Sequence, residues 1–348
     1  MRYRNSLRTQ TKNKMERKLA SIRIISDIQE IQGADMIELA IVDGWKVVVA
    51  KDVNHKIGDL VIYCEIDSFL PIKEEFEFLR KSSYKKMDDQ EGFRLKTIKL
   101  RGQVSQGLIL PIHVLPLLEM VREGQDVTEM LGIVKYEPPI PAELSGKVKG
   151  LFPSFLRKTD EERIQNLSGE IETWKDKTFY VTEKLDGSSA TFYYKDGEFG
   201  VCSRNLELLE TEDNTFWKFA RQVDLENKMR DFDVNISLQG ELIGEGIQGN
   251  PYKIKGQTVR FFNLFDIDLQ EYHSLSMFKG VCNRFGVDMV PILNEHFEMF
   301  ETVEDILEYA EGKSVLNPNF DREGVVIRSL DRKISFKAIS NKFLLNEK

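Results

Sequence analysis

The stretch "YVTEKLDGSSATFYYKDG", residues 180–197, contains two Asp-Gly pairs that predict different structures. The pair at 196–197 lies between apolar-rich runs, as expected for a two-residue β-hairpin turn. The pair at 186–187 follows Lys184, at the end of a strand-like run. This lysine is either an ordinary residue before a turn or the reactive group of the protein, and the rest of the chain bears on that choice.

The composition is that of an ordinary globular protein, and the length of 348 residues predicts two domains. No apolar stretch approaches the ~18 residues that a membrane helix needs. The cysteines Cys64, Cys202 and Cys282 are far apart and form no CxxC pair, which argues against a disulfide framework or a zinc site and favours an intracellular, reducing compartment. The net charge of −8 argues mildly against a protein coated in nucleic acid, although local basic patches can override the total.

Residues 1–19 form a strongly basic tail in which Glu16 is the only acidic residue. Three interpretations remain open: a disordered tail, a transit peptide and an arm that binds nucleic acid. We therefore expect a cytoplasmic protein and leave an organellar or nuclear one open.

Residues 20–135 are expected to form the first domain. Short strand-like runs separated by turns continue to about residue 113, a pattern typical of a small β-barrel of the OB type. Residues 136–158 are rich in Pro and Gly and are interpreted as a linker. Residues 159–348 mix strands with two predicted helices, at 213–232 and 297–312, and predict an antiparallel α+β domain.

A basic stripe is predicted in the first domain. In "FRLKTIKLR", residues 93–101, basic and apolar residues nearly alternate, which would place Arg94, Lys96 and Lys99 on one face of a strand, with Arg101 at its end. Such a stripe is either a solvated strand face or a surface that contacts nucleic acid.

Charged residues recur at the ends of apolar strands in the second domain, and they are Lys184, Arg204, Glu241, Glu323 and Lys337. If these strands are neighbours, the side chains converge on one sheet. Cations would then face phosphates, and carboxylates would face a hydrated metal and ribose hydroxyls, as in a nucleoside triphosphate site. A lysine in such a site can act as a nucleophile once it is neutral.

Lys184-Leu185-Asp186-Gly187 resembles the KxDG motif of the covalent nucleotidyltransferases, the ligases and RNA capping enzymes. Five further segments resemble the remaining motifs in order, and they are "SRN" (203–205), "GELIGEGIQ" (240–248), "FFNLFDI" (261–267), "EGVVIR" (323–328) and "SFKAISNKFLL" (335–345). The closest resemblance is to ATP-dependent RNA ligases, and a barrel in front is similar to the Deinococcus and Naegleria type. The implied fold is α+β, with an OB-like barrel followed by an antiparallel-sheet nucleotidyltransferase domain, an ATP-grasp-like ligase domain.

The resemblance implies ATP and Mg²⁺ or Mn²⁺ as cofactors. It also implies a monomer that joins RNA 3′-hydroxyl and 5′-phosphate ends at nicks or breaks, through a lysyl-AMP and an adenylylated RNA 5′ end. Two alternatives stay open: a ligase of DNA or mixed strands, and a non-catalytic RNA-binding protein on the same fold.

The resemblance also implies roles for individual residues. The catalytic residues would be Lys184, Asp186, Glu323 and Lys337. The residues that would bind the nucleotide are Glu183, Lys184, Gly187, Arg204, Glu241, Phe265, Glu323 and Lys337. Phe265 would stack on adenine unless it is a core aromatic. Metal would be held, through water, by Asp186, Glu241 and Glu323. RNA would contact Arg163, Arg204, Arg94, Lys96, Lys99 and Arg101. Ser189 stands where some related RNA ligases have Asn, so a role there in placing the 3′-hydroxyl is not implied.

Overall fold

The structure, a computed structural model, describes residues 18–87, 89–115, 121–137, 147–232 and 234–346. The elements of its N-terminal half are β1 (Ala20–Glu30), β2 (Ile37–Val42), β3 (Trp45–Ala50), β4 (Leu60–Cys64), β5 (Ser68–Pro71), α1 (Arg80–Ser83), β6 (Tyr84–Met87), β7 (Gln90–Arg94), β8 (Thr97–Leu100), β9 (Gln103–Gln106), β10 (Leu108–Pro111), α2 (Thr128–Leu131) and β11 (Val134–Lys135). The basic tail, apart from Lys18 and Leu19, lies outside the described residues.

The N-terminal half is built from antiparallel strands, as the sequence predicts. One sheet has the order β10-β4-β1-β2-β3, a second has the order β11-β5-β7-β6, and β8 and β9 form a separate hairpin. The predicted hairpin turns at 43–44 and 101–102 join β2 to β3 and β8 to β9. Asp43 and Arg101 adopt positive φ angles of 51° and 48°, which the turns of two-residue hairpins require.

The elements of the C-terminal half are β12 (Val148–Leu151), β13 (Glu162–Arg163), β14 (Thr178–Lys184), β15 (Ser188–Lys195), β16 (Glu198–Cys202), β17 (Leu206–Leu208), α3 (Thr215–Gln222), α4 (Leu225–Arg230), β18 (Ile236–Gly244), β19 (Gln257–Asp266), β20 (Glu271–Tyr272), α5 (Leu275–Phe285), β21 (Ile292–Glu298), α6 (Val303–Ala310), β22 (Gly324–Ser329), β23 (Ser335–Ile339) and α7 (Asn341–Asn346). Short 3₁₀ segments complete the chain, the longest at Ile164–Trp174.

Two sheets face each other in this half. The order of one is β12-β17-β16-β15-β18-β19-β20, and that of the other is β13-β23-β22-β14-β21. Helices α3, α4 and α5 cover the outer face of the first sheet, and α6 covers that of the second. The inner faces are joined through Arg332, which donates to Asn263 Oδ1 at 2.7 Å and to the Tyr180 hydroxyl. Apart from the short parallel pair β13–β23, the ladders are antiparallel.

Several predicted elements differ from the structure. The predicted linker lies partly outside the described residues, and its second half contains β12, which pairs with β17. The predicted helix at 213–232 is divided into α3 and α4 because Asp224 adopts a φ of +52°. The predicted helix at 297–312 begins only at Val303, after the end of β21, where the Thr302 side chain accepts from the Asp305 N–H.

The part of the chain that the structure describes contains no helix with the length and apolarity needed to cross a membrane.

The two halves share a hydrophobic core. Ile339 of β23 and Leu344 of α7 are buried in the same cluster as Trp45 and Val47 of the N-terminal sheet. The Trp45 indole N–H also donates to Asn166 Oδ1 in the C-terminal half, at 2.6 Å. Burial of apolar surface is the main favourable term in folding, so each half stabilises the other.

We predict that Leu344→Ala destabilises the whole chain and not only its last helix. Removing a buried leucine side chain typically costs about 2–4 kcal/mol, and Leu344 packs into the core of the N-terminal half. Denaturant unfolding should show one transition with a lowered midpoint. Leu269→Ala, at a side chain that is 69% exposed, is the control. A Leu344→Ala midpoint equal to that of the control would show that the shared core contributes nothing.

Candidate active site

Lys184 ends β14, which lies between β22 and β21 in the five-stranded sheet. Its backbone lies opposite Gly324 in the β14–β22 ladder, and its side chain is 28% exposed. Buried Leu185 then packs with Ile243, which anchors the chain as it leaves the strand. The lysine is therefore fixed at the edge of the space between the two sheets.

The turn after Lys184 requires glycine for steric reasons. A Cβ atom at Gly187 would lie 2.4 Å from the Leu242 carbonyl oxygen and 2.8 Å from Glu241 Cγ. The Asp186 N–H donates to the Tyr252 hydroxyl at 2.6 Å, which holds the turn in place. This close approach brings β18, and Glu241 with it, next to the lysine. The turn at 196–197, by contrast, is the ordinary β15–β16 hairpin that the sequence predicts.

Glu323 is the direct hydrogen-bond partner of Lys184. The Lys184 ammonium donates to Glu323 Oε1 at 2.6 Å. The other oxygen, Oε2, is buried and has no hydrogen-bond partner among the residues that the structure describes. Because Glu323 immediately precedes β22 and Gly324 pairs with Lys184, the ladder itself sets this contact.

The site holds more negative than positive charge. Burial acts to lower the pKa of Lys184, but attraction to Glu323, Glu241 and Asp186 outweighs it and raises the pKa above the ordinary value. Burial, reinforced by repulsion from Glu323 and Asp186, raises the pKa of Glu241 to about 8, against an opposing effect of Lys184. The lysine is therefore protonated in the free protein and is not yet a nucleophile.

This donor set fits a divalent cation. Carboxylate oxygens are the ligands that Mg²⁺ prefers, and Mg²⁺ usually keeps several waters. Asp186, Glu241 and Glu323 surround a single ammonium group, and Glu323 Oε2, which has no hydrogen-bond partner among the described residues, is available as a metal ligand. Within the described ranges, no three His, Cys, Asp or Glu side chains are close enough to hold a metal directly. The geometry is therefore one in which water or phosphate oxygens would complete the coordination.

Lys337 lies on the inner face of the same sheet. It is opposite Val326 in the β22–β23 ladder, and Val326 is in turn opposite Thr182, two residues before Lys184. Side chains at every second position of a strand share a face, so Lys184 and Lys337 point into the same space. The structure thus brings Lys337 to the site.

Arg204 lies at the mouth of the site in an ion-pair cluster. It donates to Asp160 Oδ1 at 2.7 Å, and the other Asp160 oxygen accepts from Lys135 at 3.3 Å. Burial acts to raise the pKa of Asp160, but Arg204, Lys135 and Lys337 together hold it far below the ordinary value. Lys135 belongs to β11, a strand of the N-terminal half, so both halves contribute to the mouth.

Glu183 faces away from the space between the sheets. Its Oε2 accepts from the Val315 N–H at 2.9 Å, and its backbone N–H donates to the Pro291 carbonyl at 2.9 Å. Burial raises the pKa of this carboxyl, against the effects of Ser314, Val315 and Arg322. These contacts fix the end of β14 from behind, and the side chain does not reach the lysine ammonium.

The structure does not place Phe265 beside the lysine. Phe265 is fully buried beneath Arg157 and against Tyr272, and it lies opposite Ser237 in the β18–β19 ladder. Ser237 is four residues from Glu241, about 13 Å along a strand. The predicted stacking of Phe265 on adenine is therefore not supported, because the ring belongs to the core.

Phe262 is an aromatic residue near the site, as is Tyr252. Phe262 is half-buried and packs in the same cluster as Leu185, and the Arg328 guanidinium lies 5.8 Å from its ring centroid. A bulge in β19, where Gln239 pairs with Asn263 but the next residue pairs with Phe261, places Phe262 between ladder positions.

Arg163 and Arg94 meet at the junction of the two halves. Asp67 accepts from Arg94 at 3.1 Å and lies 3.4 Å from Arg163 Nη2. The Arg94 guanidinium also covers the Tyr136 ring at 4.5 Å. Arg163 is opposite Lys337 in the β13–β23 ladder, so this junction adjoins the site.

The predicted basic stripe is divided in the structure. Strand β7 ends at Arg94 and β8 begins at Thr97, so the alternation is interrupted around half-buried Lys96. Arg94 turns into the junction, whereas Lys99 and Arg101 are exposed on the β8–β9 hairpin. One continuous basic face is therefore the wrong description.

Sequence reasoning missed Phe262, Tyr252, Asp160 and Lys135. The aromatic run "FFNLF" was the only signal for Phe262, and nothing in it reveals the bulge. The contacts of Asp160 and Lys135 join distant segments, and no local pattern indicates them.

Two family models match the chain. A model of an OB-fold domain matches residues 19–112, and an RNA ligase model matches residues 177–341. A search of curated proteins found no match.

Solved structures of an RNA ligase from Naegleria gruberi are similar over almost the whole chain. The enzyme with PPi is 47% identical, with 94% of this chain and 98% of that chain covered and a TM-score of 0.88. A mutant with AMP and Mn is 46% identical, with coverage of 95% and 99% and a TM-score of 0.89. Another mutant, with ATP and Mn, has the same identity, coverage and TM-score.

The fold and the lysine site thus define a ligase domain that follows an OB-fold domain. With 46% identity over 95% of its length, the chain belongs to the RNA ligase family, of the type that the Naegleria gruberi enzyme represents. The predicted OB barrel, the α+β fold and the enzyme class are confirmed.

We predict that Glu241→Gln stabilises the fold increasingly as pH rises. In the unfolded chain a glutamate titrates near 4.5, whereas Glu241 titrates near 8 in the folded protein. Between pH 4.5 and about pH 8, Glu241 is therefore protonated in the folded state but ionised in the unfolded state. The free energy of unfolding that wild type loses in this way grows as pH rises to about 8. Gln carries no such cost. The gain in Tm over wild type should be larger by about 2–6 °C at pH 9 than at pH 5.

Glu301→Gln, at a side chain that is 82% exposed, is the control for Glu241→Gln. A gain in Tm that is the same at both pH values would contradict the raised pKa of Glu241.

Proposed function

We propose that this RNA ligase uses ATP to join RNA 3′-hydroxyl and 5′-phosphate ends through a lysyl-AMP at Lys184. The observation that carries the proposal is the position of Lys184 between Glu323, Glu241 and Asp186, at the mouth of the space between the two sheets. The Naegleria gruberi structures with ATP and Mn or AMP and Mn support ATP and Mn²⁺, and by analogy Mg²⁺, as cofactors.

The first step transfers AMP from ATP to the lysine. The Lys184 nitrogen attacks the α-phosphorus, the N–P bond forms and the bond to pyrophosphate breaks. The ammonium must first lose a proton, and Glu323 at 2.6 Å is the nearest acceptor. A divalent cation held by Asp186, Glu241 and Glu323 would offset their negative charge, and so lower the pKa of the lysine.

The next steps pass AMP to RNA and then release it. A 5′-phosphate oxygen of RNA attacks the lysyl-AMP phosphorus, and the amine of Lys184 leaves and regains a proton. The 3′-hydroxyl oxygen then attacks the 5′-phosphorus of the adenylylated end and releases AMP. Lys337, on the same face as Lys184, is proposed to stabilise charge that develops on the α-phosphate.

The adenine is proposed to bind between Phe262 and Val326. Val326 faces the space between the sheets, because Val325 and Ile327 on either side of it pack in the opposite core. Phe262 lies on the facing sheet, near Leu185. Apolar side chains on the two facing sheets would suit a purine ring, and Glu241 is proposed to bind the ribose.

The RNA partner is proposed to reach the site along the N-terminal half. Exposed Lys99 and Arg101 are the candidates there for phosphate contacts, and exposed Arg204 is the candidate near the lysine. The predicted RNA contact of Arg163 is not supported, because Arg163 is buried against Asp67. Action on nicks or breaks, and action as a monomer, are part of this proposal. So is a reducing compartment, which the three free cysteines favour.

Covalent labelling tests the proposal. Protein freed of bound AMP is incubated with α-labelled ATP and Mn²⁺ and run on a denaturing gel, beside the same reaction with labelled GTP. We expect label on wild type with ATP only, and none on Lys184→Ala, because the phosphoramidate bond requires this amine. Lys195→Ala, at a lysine in the hairpin of the same stretch, is the matched control and should keep the label. Label on Lys184→Ala would refute the role of this lysine.

The two phenylalanines should separate binding from stability. Loss of stacking in Phe262→Ala should raise the KM for ATP about tenfold, with little loss of stability. Phe265→Ala removes a buried ring and should cost about 3–5 kcal/mol of folding free energy. Self-adenylylation and denaturant unfolding measure the two effects. A raised KM for Phe265→Ala together with an unchanged KM for Phe262→Ala would restore the original prediction.

A further inference from the structure

Asp160 receives cations from both halves of the molecule. Lys135 of β11 reaches one carboxylate oxygen at 3.3 Å, and Arg204, just after β16, donates to the other at 2.7 Å. β11 pairs with β5 in the N-terminal half, whereas β16 belongs to the seven-stranded sheet. The cluster is therefore a place where the two halves bring positive charge to one point.

Stability does not explain this cluster. The Asp160 side chain is 46% exposed, and the segment that carries it has no regular secondary structure. Exposed ion pairs contribute about 0–1 kcal/mol to folding. Two cations drawn from separate sheets also repel each other, so an anion between them is needed whenever both are in place.

The cluster lies beside the lysine site. Asp160 is two residues before β13, whose Arg163 is opposite Lys337 in the sheet. Lys337 also contributes to the field that keeps Asp160 ionised. An anion at this point would therefore lie near the place where AMP is transferred.

We propose that Lys135 and Arg204 form the subsite for the 5′-phosphate of RNA, and that the Asp160 carboxylate occupies this subsite until RNA enters. The inference rests on the proposed function, since it assigns the second transfer step to these residues. Asp160 is a positioning residue here, because it holds the two cations together without touching the reacting atoms.

A terminal phosphate suits the two cations better than Asp160 does. It carries a charge of about −1.5 to −2 and three acceptor oxygens, whereas a carboxylate carries one charge and two oxygens. Arginine also binds phosphate through two parallel hydrogen bonds. The phosphate would displace the half-exposed carboxylate and turn one oxygen toward the lysyl-AMP. An internal phosphodiester has a single charge shared by two non-bridging oxygens, so it binds the two cations less well and is a weaker nucleophile.

The experiment measures the second step alone. Enzyme already carrying AMP is mixed with 5′-phosphorylated RNA in a nicked duplex, and formation of the adenylylated RNA is followed as a function of RNA concentration. We expect Asp160→Asn to lower the KM for RNA about two- to fivefold, because a competing ion pair is removed. Lys135→Ala should raise the KM, and Asp160→Asn should bring a smaller gain when it is added to Lys135→Ala, because only the ion pair with Arg204 is then left to remove.

Asp213→Asn is the matched control. Asp213 forms an exposed ion pair with Lys147, so Asp213→Asn also removes one negative charge from an exposed ion pair. This control therefore measures how much a lower net negative charge alone strengthens RNA binding. Competition by 5′-hydroxyl RNA is measured in parallel, and Asp160→Asn should not strengthen it beyond the control.

The outcomes separate the two proposals. A KM that is unchanged or raised in Asp160→Asn would overturn the inference. A gain equal to that of Asp213→Asn, or one shared by 5′-hydroxyl RNA, would overturn it too, because the effect would then be general electrostatics. If wild type takes no label from ATP, the proposed function itself fails, and this is seen before RNA is added.

Discussion

The contact between Lys184 and Glu323 is the interaction on which the site depends. It joins the ends of β14 and β22 at 2.6 Å and places one ammonium among three carboxylates. In that field the pKa of Lys184 is raised and the lysine stays protonated. A ligand that brings positive charge to the carboxylates weakens the same field. Activation of the nucleophile is thereby coupled to arrival of the substrate.

The same arrangement has a structural cost, which the two sheets offset. Glu241 is kept where burial opposes its ionisation, and Gly187 allows an approach to β18 that no other residue would allow. Such strained or desolvated groups persist only where the surrounding structure holds them. Here the cores on the outer faces of both sheets provide that support, with α3 to α5 on one side and α6 on the other.

The sequence predicts the parts of this site that follow local rules. Strand ends mark Lys184, Arg204 and Glu323, and Asp-Gly or Arg-Gly pairs mark the hairpins, because period-two alternation and positive φ angles are local properties. Glu241 and Lys337, predicted at strand ends, lie inside β18 and β23. The error at Phe265 has a different origin. A bulge in β19 shifts the facing residue to Phe262, and the bulge depends on pairing with β18, which no local pattern records.

Arg94 shows a second limit of sequence reading. Its alternation with apolar residues predicts an outward side chain, but the strand ends there and the guanidinium turns to Asp67 and Tyr136. Asp67 also contacts Arg163, so the residue that looked like part of an RNA surface joins the two halves instead. The direction of such a side chain depends on tertiary contacts between distant segments. Local sequence patterns do not predict these contacts.

The shared core connects the N-terminal half directly to β23, the strand that carries Lys337. Ile339 is two residues after Lys337 on β23, and it packs among Trp45 and Val47 of the N-terminal sheet. Because Lys337 and Ile339 are only two residues apart on β23, fixing Ile339 also restricts Lys337. The position of Lys337 therefore depends on the N-terminal sheet against which Ile339 packs. The Asp160 cluster adds a second link on the other side of the mouth. The OB-fold half is therefore packed directly against the strand that carries Lys337, and it supports the lysine site as well as its own sheet.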